Sequence, residues 1–379
     1  MKDMDVPIGS ARSSAAEAAP SPDAVELLMK VAESGASDLH LAVGRPPTMR
    51  LNGKLVAAGG RDLTPKDTRA LLYSLMTQDQ RDALERLWEI DFAYSVPGRT
   101  RFRVNAYFQR GSVGAAFRFI PARMRSFEEL GVPPVVEEMA LKARGLVLVT
   151  GQAGSGKTTT LASMVDYINE HQCVHIMTIE DPIEYLHQHK QSMVNQREVG
   201  SDTKTFQSAL KYVLREDPDV IMVGEMRDLD TIQAALTAAE TGHLVLASLH
   251  TQDAAQTIDR IVDVFPSRQQ QQVRIQLAGT LQGVISQQLL PRADGAGRVL
   301  VCEVLIPTLA IRNLIREAKS HQLGSAMQTG RQFGMITMDE ALADRYASGL
   351  ISYETAIAQA LDPVALRERI KPGPASWNG

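Results

Sequence analysis

The sequence predicts a two-domain α/β chain: a mixed α/β domain over residues 23–122, a linker at 123–132, and an α/β domain with a largely parallel sheet over 133–361. Three observations carry the prediction. Two short alternating runs flank an Asn52-Gly53 turn, four short apolar runs further on alternate with helical patterns, and a complete phosphate-loop motif joins the first of those runs to its helix. With 379 residues, 44% of them hydrophobic, and a net charge of −4, the chain can bury two cores. The same numbers exclude wholesale disorder and a protein that coats nucleic acid along its length.

Residues 1–22 are rich in Ala, Ser and Pro without an apolar period and read as a disordered leader. Val25, Leu28, Met29 and Ala32 then recur at helical spacing, and Gly35 stands where a C-terminal cap belongs. Thr64-Pro65 opens a second helix, to about Met76, with Thr as cap and Pro in the first turn. Segments near 90–96, 101–108 and 113–120 alternate like strands, separated by Pro97-Gly98 and Gly111-Ser112. Ser126 to Glu129 has capping-box spacing, and Pro133-Pro134 follows at the expected domain boundary.

In the second domain, apolar runs at 146–150, 174–179, 220–223 and 244–248 alternate with helical patterns at 157–170, 205–215, 228–241 and 253–263. That is the rhythm of a parallel sheet with ligand loops at its strand ends. The part from about 305 to 361 reads as mostly helical, and 362–379 as a flexible tail. The longest apolar stretches fall far short of the roughly 20 residues that span a bilayer, so a cytoplasmic address is expected. Two widely separated cysteines, Cys173 and Cys302, provide neither a disulfide framework nor a four-thiolate zinc site.

Gly151-Gln152-Ala153-Gly154-Ser155-Gly156-Lys157-Thr158 matches G-x-x-x-x-G-K-[ST] in full, between a strand and a helix. The glycines let backbone N–H groups converge on phosphate oxygens, Lys157 reaches the β and γ phosphates, and the Thr158 hydroxyl ligates Mg²⁺. Gly151, Gly154, Ser155, Gly156, Lys157, Thr158 and the following Thr159 are therefore the expected ATP contacts. The apolar run Val220 to Val223 ends in Gly224-Glu225, which places Glu225 to orient or deprotonate an attacking water. Acids also cluster from Glu180 to Glu184, and His243 and His250 bracket the run 244–249, where they are expected at the phosphate loop's edge of the sheet.

The stretch Leu214 to Asp228, reading LREDPDVIMVGEMRD, resembles the signature of the secretion-type hexameric ATPases, the family of type II secretion and type IV pilus motors. Thr178 to Glu184 resembles that family's aspartate box, and Thr241-Gly242-His243 through His250-Thr251 its histidine box. The resemblance spans about residues 23–361. It implies an N-terminal PAS-like domain and a RecA-like ATPase domain, ATP and Mg²⁺ as ligands, Glu225 as the catalytic acid that also faces the metal, and Glu184 as a second functional acid. It also implies that His243 and His250 sense or couple nucleotide state. Ala310 to Glu317, reading AIRNLIRE, resembles the C-terminal motif of the family's retraction motors, although Ile311, Leu314 and Ile315 also have the spacing of any core-facing helix. Two distant cysteines cannot build the tetracysteine element of the family's assembly motors.

By the same resemblance the chain works as a homohexamer, docked peripherally on an inner-membrane platform protein and acting indirectly on pilin, without direct nucleic-acid binding. A pilus retraction motor is the expectation; an accessory retraction motor, a type II secretion or assembly ATPase and a nucleic-acid translocase are the alternatives. Between Val96 and Phe127 lie seven arginines and no Asp or Glu. Strand alternation turns Arg103 and Arg118 away from the apolar face, and they are the expected arginine fingers for a neighbouring subunit's γ-phosphate. A solvated sheet face or a single-stranded nucleic-acid surface would give the same pattern.

Overall fold

The computed structural model describes residues 23–51, 53–96, 100–120, 123–295 and 297–370. The leader 1–22, Asn52 of the hairpin turn, the Pro97-Gly98 turn, Arg99 and the end of the tail at 371–379 lie outside those residues. The chain divides into two units between Ile120 and Pro121.

The first unit runs α1 (Ala24–Ser34), β1 (Asp38–Leu41), β2 (Thr48–Leu51), β3 (Lys54–Ala57), α2 (Pro65–Ser74), α3 (Gln78–Leu87), β4 (Glu89–Val96), β5 (Thr100–Gln109) and β6 (Ser112–Ile120). The strands form an antiparallel sheet in the order β3-β2-β1-β6-β5-β4. Asp23 caps α1 by accepting from the Val25 N–H, and Gly35 closes it at φ 71°. The buried stripe of α1 is Ala24, Leu27, Leu28 and Val31, rotated from the expected one because this helix carries two overlapping apolar stripes. Thr64 and Pro65 start α2 as the sequence predicts, through a reciprocal cap with Asp67. α3 escapes a periodicity search because Leu84 is its only buried residue. Phe102, Val104, Ala106 and Phe117 point into the core with Leu28, Leu39 and Leu72.

The second unit opens with two short helices, α4 (Phe127–Leu130) and α5 (Val135–Ala140). Its sheet comprises β7 (Gly145–Thr150), β8 (His175–Glu180), β9 (Met193–Glu198), β10 (Val220–Val223), β11 (Leu244–Leu249), β12 (Leu281–Pro291) and β13 (Arg298–Leu305). The order is β13-β12-β7-β11-β10-β8-β9, parallel throughout except for β13, which pairs antiparallel to β12. The crossover helices are α6 (Lys157–His171), α7 (Phe206–Val213), α8 (Leu229–Glu240), α9 (Ala254–Asp263) and α10 (Ser267–Thr280). α11 (Leu309–Arg316), α12 (Leu323–Gln328), α13 (Met338–Ala347), α14 (Tyr353–Gln359) and α15 (Pro363–Arg369) complete the predicted helical C-terminal part.

Both faces of this sheet are covered, so β7, β10 and β11 are buried at every position and mostly apolar. Leu146, Leu148, Ile221, Val223 and Val245 pack on one side with α8 and α9, whereas Val147, Val149, Val220 and Met222 pack on the other with α5 and α6. The strands β9, β12 and β13 were not legible as such, because their polar residues interrupt the apolar runs.

Two expected boundaries differ in the structure. The segment 123–132, expected as a linker, is held on the second unit: Phe127 and Val132 are buried in its core and the Ser163 hydroxyl donates to the Arg125 carbonyl at 2.8 Å. Pro133-Pro134 marks the start of α5 rather than a break between domains. Residues 362–370 of the expected flexible tail instead belong to the folded unit: Asp362 caps α15, and Leu366 and Ile370 are buried.

Glu303 on β13 fastens two helices to the sheet. One carboxylate oxygen accepts the first N–H of α9, from Ala254, at 2.7 Å, and the other accepts that of α13, from Met338, at 3.1 Å. Burial pushes its carboxyl up from 4.5 to about 7, although both N–H groups favour the ionised form. The folded state then retains a proton that the unfolded chain has released, so stability falls as pH rises through that window. Between pH 5 and 7, the unfolding free energy of the wild type, read by denaturant titration, should fall relative to that of Glu303→Gln, by at most about 1.4 kcal/mol per pH unit. Parallel pH profiles for the two proteins would contradict this assignment.

Candidate active site

β7 delivers the chain into the phosphate loop, and glycine is required where the loop meets its neighbours. Gly151 has φ 143°, and a Cβ there would lie 2.4 Å from the Gln287 carbonyl oxygen and 2.5 Å from the Ser155 hydroxyl. Gly156 has φ 93° and precedes α6 without any side chain to cap it. The first N–H groups of α6 therefore have no side-chain acceptor, and the Ser155 Oγ is buried without a partner. A glycine loop opening on a bare helix N-terminus suits the oxygen atoms of a phosphate chain. Thr158 and Thr159 lie in the first turn, and the Thr159 hydroxyl is 2.9 Å from that of Tyr185.

Lys157 is buried, and its ammonium donates to the Gly151 and Gln152 carbonyls at 2.8 and 3.0 Å. Burial lowers its pKa, while the charges of Glu225 and Glu184 oppose the fall. The Lys157 Nζ is also 3.4 Å from Nδ1 of His250, whose Nε2 lies 2.9 Å from a Glu225 oxygen. Arg227 grips the same carboxylate in bidentate fashion, with Nε and Nη2 donating at 2.6 and 2.7 Å. Burial alone would raise the Glu225 carboxyl; the Arg227 hydrogen bond, with the charges of His250, Arg227 and Lys157, outweighs it and holds the group below its usual range. Lys157, His250, Glu225 and Arg227 thus form one continuous polar chain.

This chain lines a cavity of about 390 Å³ that also receives Thr158, Glu180, Asp181 and Glu184. Gly224 brings Glu225 there: its N–H donates to the Ile179 carbonyl at 2.8 Å, and an added Cβ would stand 3.3 Å from that oxygen. Among the described residues, no cluster of three or more His, Cys, Asp or Glu side chains could cage a metal. The donor set would instead suit a Mg²⁺ held chiefly by phosphate oxygens, for which Thr158 and Glu225 of the same cavity are the available protein donors.

The structure therefore gathers Gly151, Gly154, Ser155, Gly156, Lys157, Thr158, Thr159, Glu184, Glu225 and His250 at one edge of the sheet. His243 is a correction. It precedes β11, whereas the loop and His250 follow β7 and β11, and those strands are parallel with Gly145 opposite Leu244 and Thr150 opposite Leu249. A six-residue strand, roughly 20 Å at 3.3 Å per residue, separates His243 from the loop of its own chain. Its ring instead meets the Ala238 carbonyl at 3.0 Å. Two residues bracketing one strand cannot share an edge.

Arg103 and Arg118 belong to the first unit and stand directly opposite one another on β5 and β6. Both turn away from the core, as alternation predicts, and Arg118 donates to Asp38 at 3.2 Å with 71% of its side chain exposed. On α11, Ile311 and Ile315 are fully buried. Arg312 is not on a free polar face: its guanidinium donates to the Ala278, Gly279 and Leu281 carbonyls at the end of α10. Asn313, Arg316 and Glu317 are exposed. The site residues that sequence reasoning left without a role are Arg227 and Glu180. Arg227 was visible two positions after Glu225, but nothing in the spacing shows that it turns back onto the carboxylate.

A parallel sheet whose strand-end loops bring together a bare glycine loop, a buried lysine and a tethered glutamate defines a P-loop nucleotide-binding enzyme. The profile described as type II/IV secretion system protein matches residues 21–355, and the chain belongs to that family. It is 52% identical over 341 residues to the type IV pilus retraction ATPase PilT of Pseudomonas aeruginosa, covering 90% of this chain and 99% of that one. It is 43% identical over 351 residues to the type IV pilus ATPase PilU of the same organism, covering 93% and 92%. A crystal structure of the pilus retraction motor PilT with bound ADP superposes with a TM-score of 0.86 at 52% identity, covering 92% of this chain and all of that one.

Arg227 donates the leading hydrogen bond that keeps Glu225 ionised. Replacing it by alanine should therefore move the acid limb of the kcat–pH profile to higher pH, since a carboxyl freed of its cation titrates later. An unmoved limb would contradict the arrangement.

Proposed function

We propose that this chain powers type IV pilus retraction by hydrolysing ATP. The observation that carries the reading is the 52% identity, near end to end, to a retraction ATPase, supported by the phosphate loop, buried Lys157 and tethered Glu225 of the second unit. The two cysteines of the whole sequence, too few for a tetracysteine zinc element, favour this over an assembly motor.

In this reading the α6 N-terminus and Lys157 bind the phosphate chain, with Lys157 leaving the Gly151 and Gln152 carbonyls for the β and γ oxygens. Thr158 would help to hold Mg²⁺, which would supply charge withdrawal from those oxygens. Glu225 orients a water toward the γ-phosphorus and takes its proton as the new P–O bond forms. The bond to the bridging oxygen breaks, and ADP leaves with the electron pair. His250, placed between Lys157 and Glu225, couples the state of the phosphate site to the acid, and Glu184 faces the same cavity.

The further parts of the proposal concern assembly. Six copies form a ring in which Arg103 and Arg118 of one subunit supply fixed positive charge to a neighbour's γ-phosphate. The ring works in the cytoplasm, peripheral to the inner membrane, on a platform protein and thereby on pilin. No described helix is long and apolar enough to cross a membrane. The arginine face also carries acids, Asp38 beside Arg118 and Asp91 beside Asn105, which is a poor surface for nucleic acid.

With purified protein, Lys157→Ala should lose ATP binding, whereas Glu225→Gln should bind ATP and fall at least about 100-fold in kcat, the scale of general-base loss. Phosphate release near the wild-type rate from either variant would overturn the site. In rings that mix subunits, Arg103→Ala with Arg118→Ala in one subunit should be rescued by an intact neighbour combined with Lys157→Ala only if the arginines act in trans. Absence of any activity in the mixed ring would refute trans fingers.

A further inference from the structure

The loop that carries Glu184 follows β8 and is fastened by two side chains from the adjacent strand. β9 runs parallel to β8 with Gln196 opposite Thr178 and Glu198 opposite Glu180. Gln196 and Glu198 are two residues apart and so share a face of the sheet. The Gln196 amide donates to the Tyr185 carbonyl at 2.8 Å and to Glu180 at 3.0 Å, and its oxygen accepts from the His187 N–H at 2.8 Å. The buried Glu198 carboxylate accepts from the Ile183 N–H at 3.0 Å. Glu180, buried at the end of β8, accepts from Thr178 at 2.6 Å and from the backbone N–H of Glu184 itself.

The backbone is thus held at residues 183, 184, 185 and 187, on both sides of an acid whose side chain is exposed toward the cavity. The Tyr185 hydroxyl continues the chain to Thr159 on α6. We propose that Gln196, which lies outside every motif of the site, is a positioning residue whose clasp on this loop sets where the Glu184 carboxylate meets the phosphate chain. The inference rests on the reading that Glu184 takes part in hydrolysis. Gln196 touches neither the phosphate loop nor Lys157 and meets α6 only at second hand, through Tyr185 and Thr159, so its main effect falls on the acid rather than on nucleotide binding.

The test uses the full-length protein and steady-state ATPase kinetics of Gln196→Ala, Glu184→Gln and the double variant, with thermal melts of each. Gln196→Ala should lower kcat about 10- to 100-fold, the usual scale for loss of an orienting partner, with KM for ATP within about 3-fold of the wild type. In the Glu184→Gln background it should change kcat by no more than about 2-fold, since a residue acting through Glu184 has nothing left to position. A wild-type kcat in Gln196→Ala, a raised KM with kcat intact, or a second full loss in the double variant would overturn the proposal. Gln196→Leu, which retains the volume, guards against a packing defect; if both single variants fail to fold, the clasp serves the fold and the proposal is again overturned. Wild-type activity in Glu184→Gln alone would instead defeat the underlying role of Glu184.

Discussion

Everything at this site depends on a helix that begins without a cap. α6 starts at Lys157 behind Gly156, which has no side chain to offer the first N–H groups. Their unmet hydrogen bonds and the positive end of the helix make an anion the natural partner. The rest of the unit holds that terminus at a fixed place: β7 is buried along its whole length, and β12 presses its Gln287 carbonyl against Gly151 so closely that no other residue fits.

The charges of the site satisfy one another. Lys157 turns to the loop's own carbonyls, His250 bridges to Glu225, and Arg227 holds that carboxylate with two short hydrogen bonds. In the proposed mechanism a phosphate chain would compete for Lys157 first, and the contacts through His250 offer a route from the loop to Glu225. His243, at the other end of β11, is not on that route within its own chain.

The parallel α/β unit was legible because both faces of its sheet are covered, so β7, β10 and β11 read as unbroken apolar runs, and because the phosphate loop has a fixed spacing. Illegible elements have physical reasons. α3 buries a single leucine, β9 uses Gln196 and Glu198 to hold a loop rather than to fill a core, and residues 123–132 bury only two large side chains, Phe127 and Val132, in the second unit. Spacing located Glu225 and Glu184 but not what holds them, since Arg227 reaches Glu225 through its side chain and Gln196 holds the backbone beside Glu184 at Tyr185 and His187. The misplacement of His243 came from treating both ends of a strand as one edge, an error that strand direction corrects. Arg103 and Arg118 were legible as outward-facing residues of the first unit, and alternation carries no information about what they face in a ring.

The central claim is that hydrolysis at Glu225 drives pilus shortening. Fluorescently labelled pili in a strain deleted for this gene, complemented with wild type or with Glu225→Gln, test it directly. The account predicts long, static pili in the deletion strain, restored shortening with the wild type, and no restoration with Glu225→Gln despite normal expression. Pili that shorten normally in the deletion strain, or with Glu225→Gln as the sole copy, would contradict it.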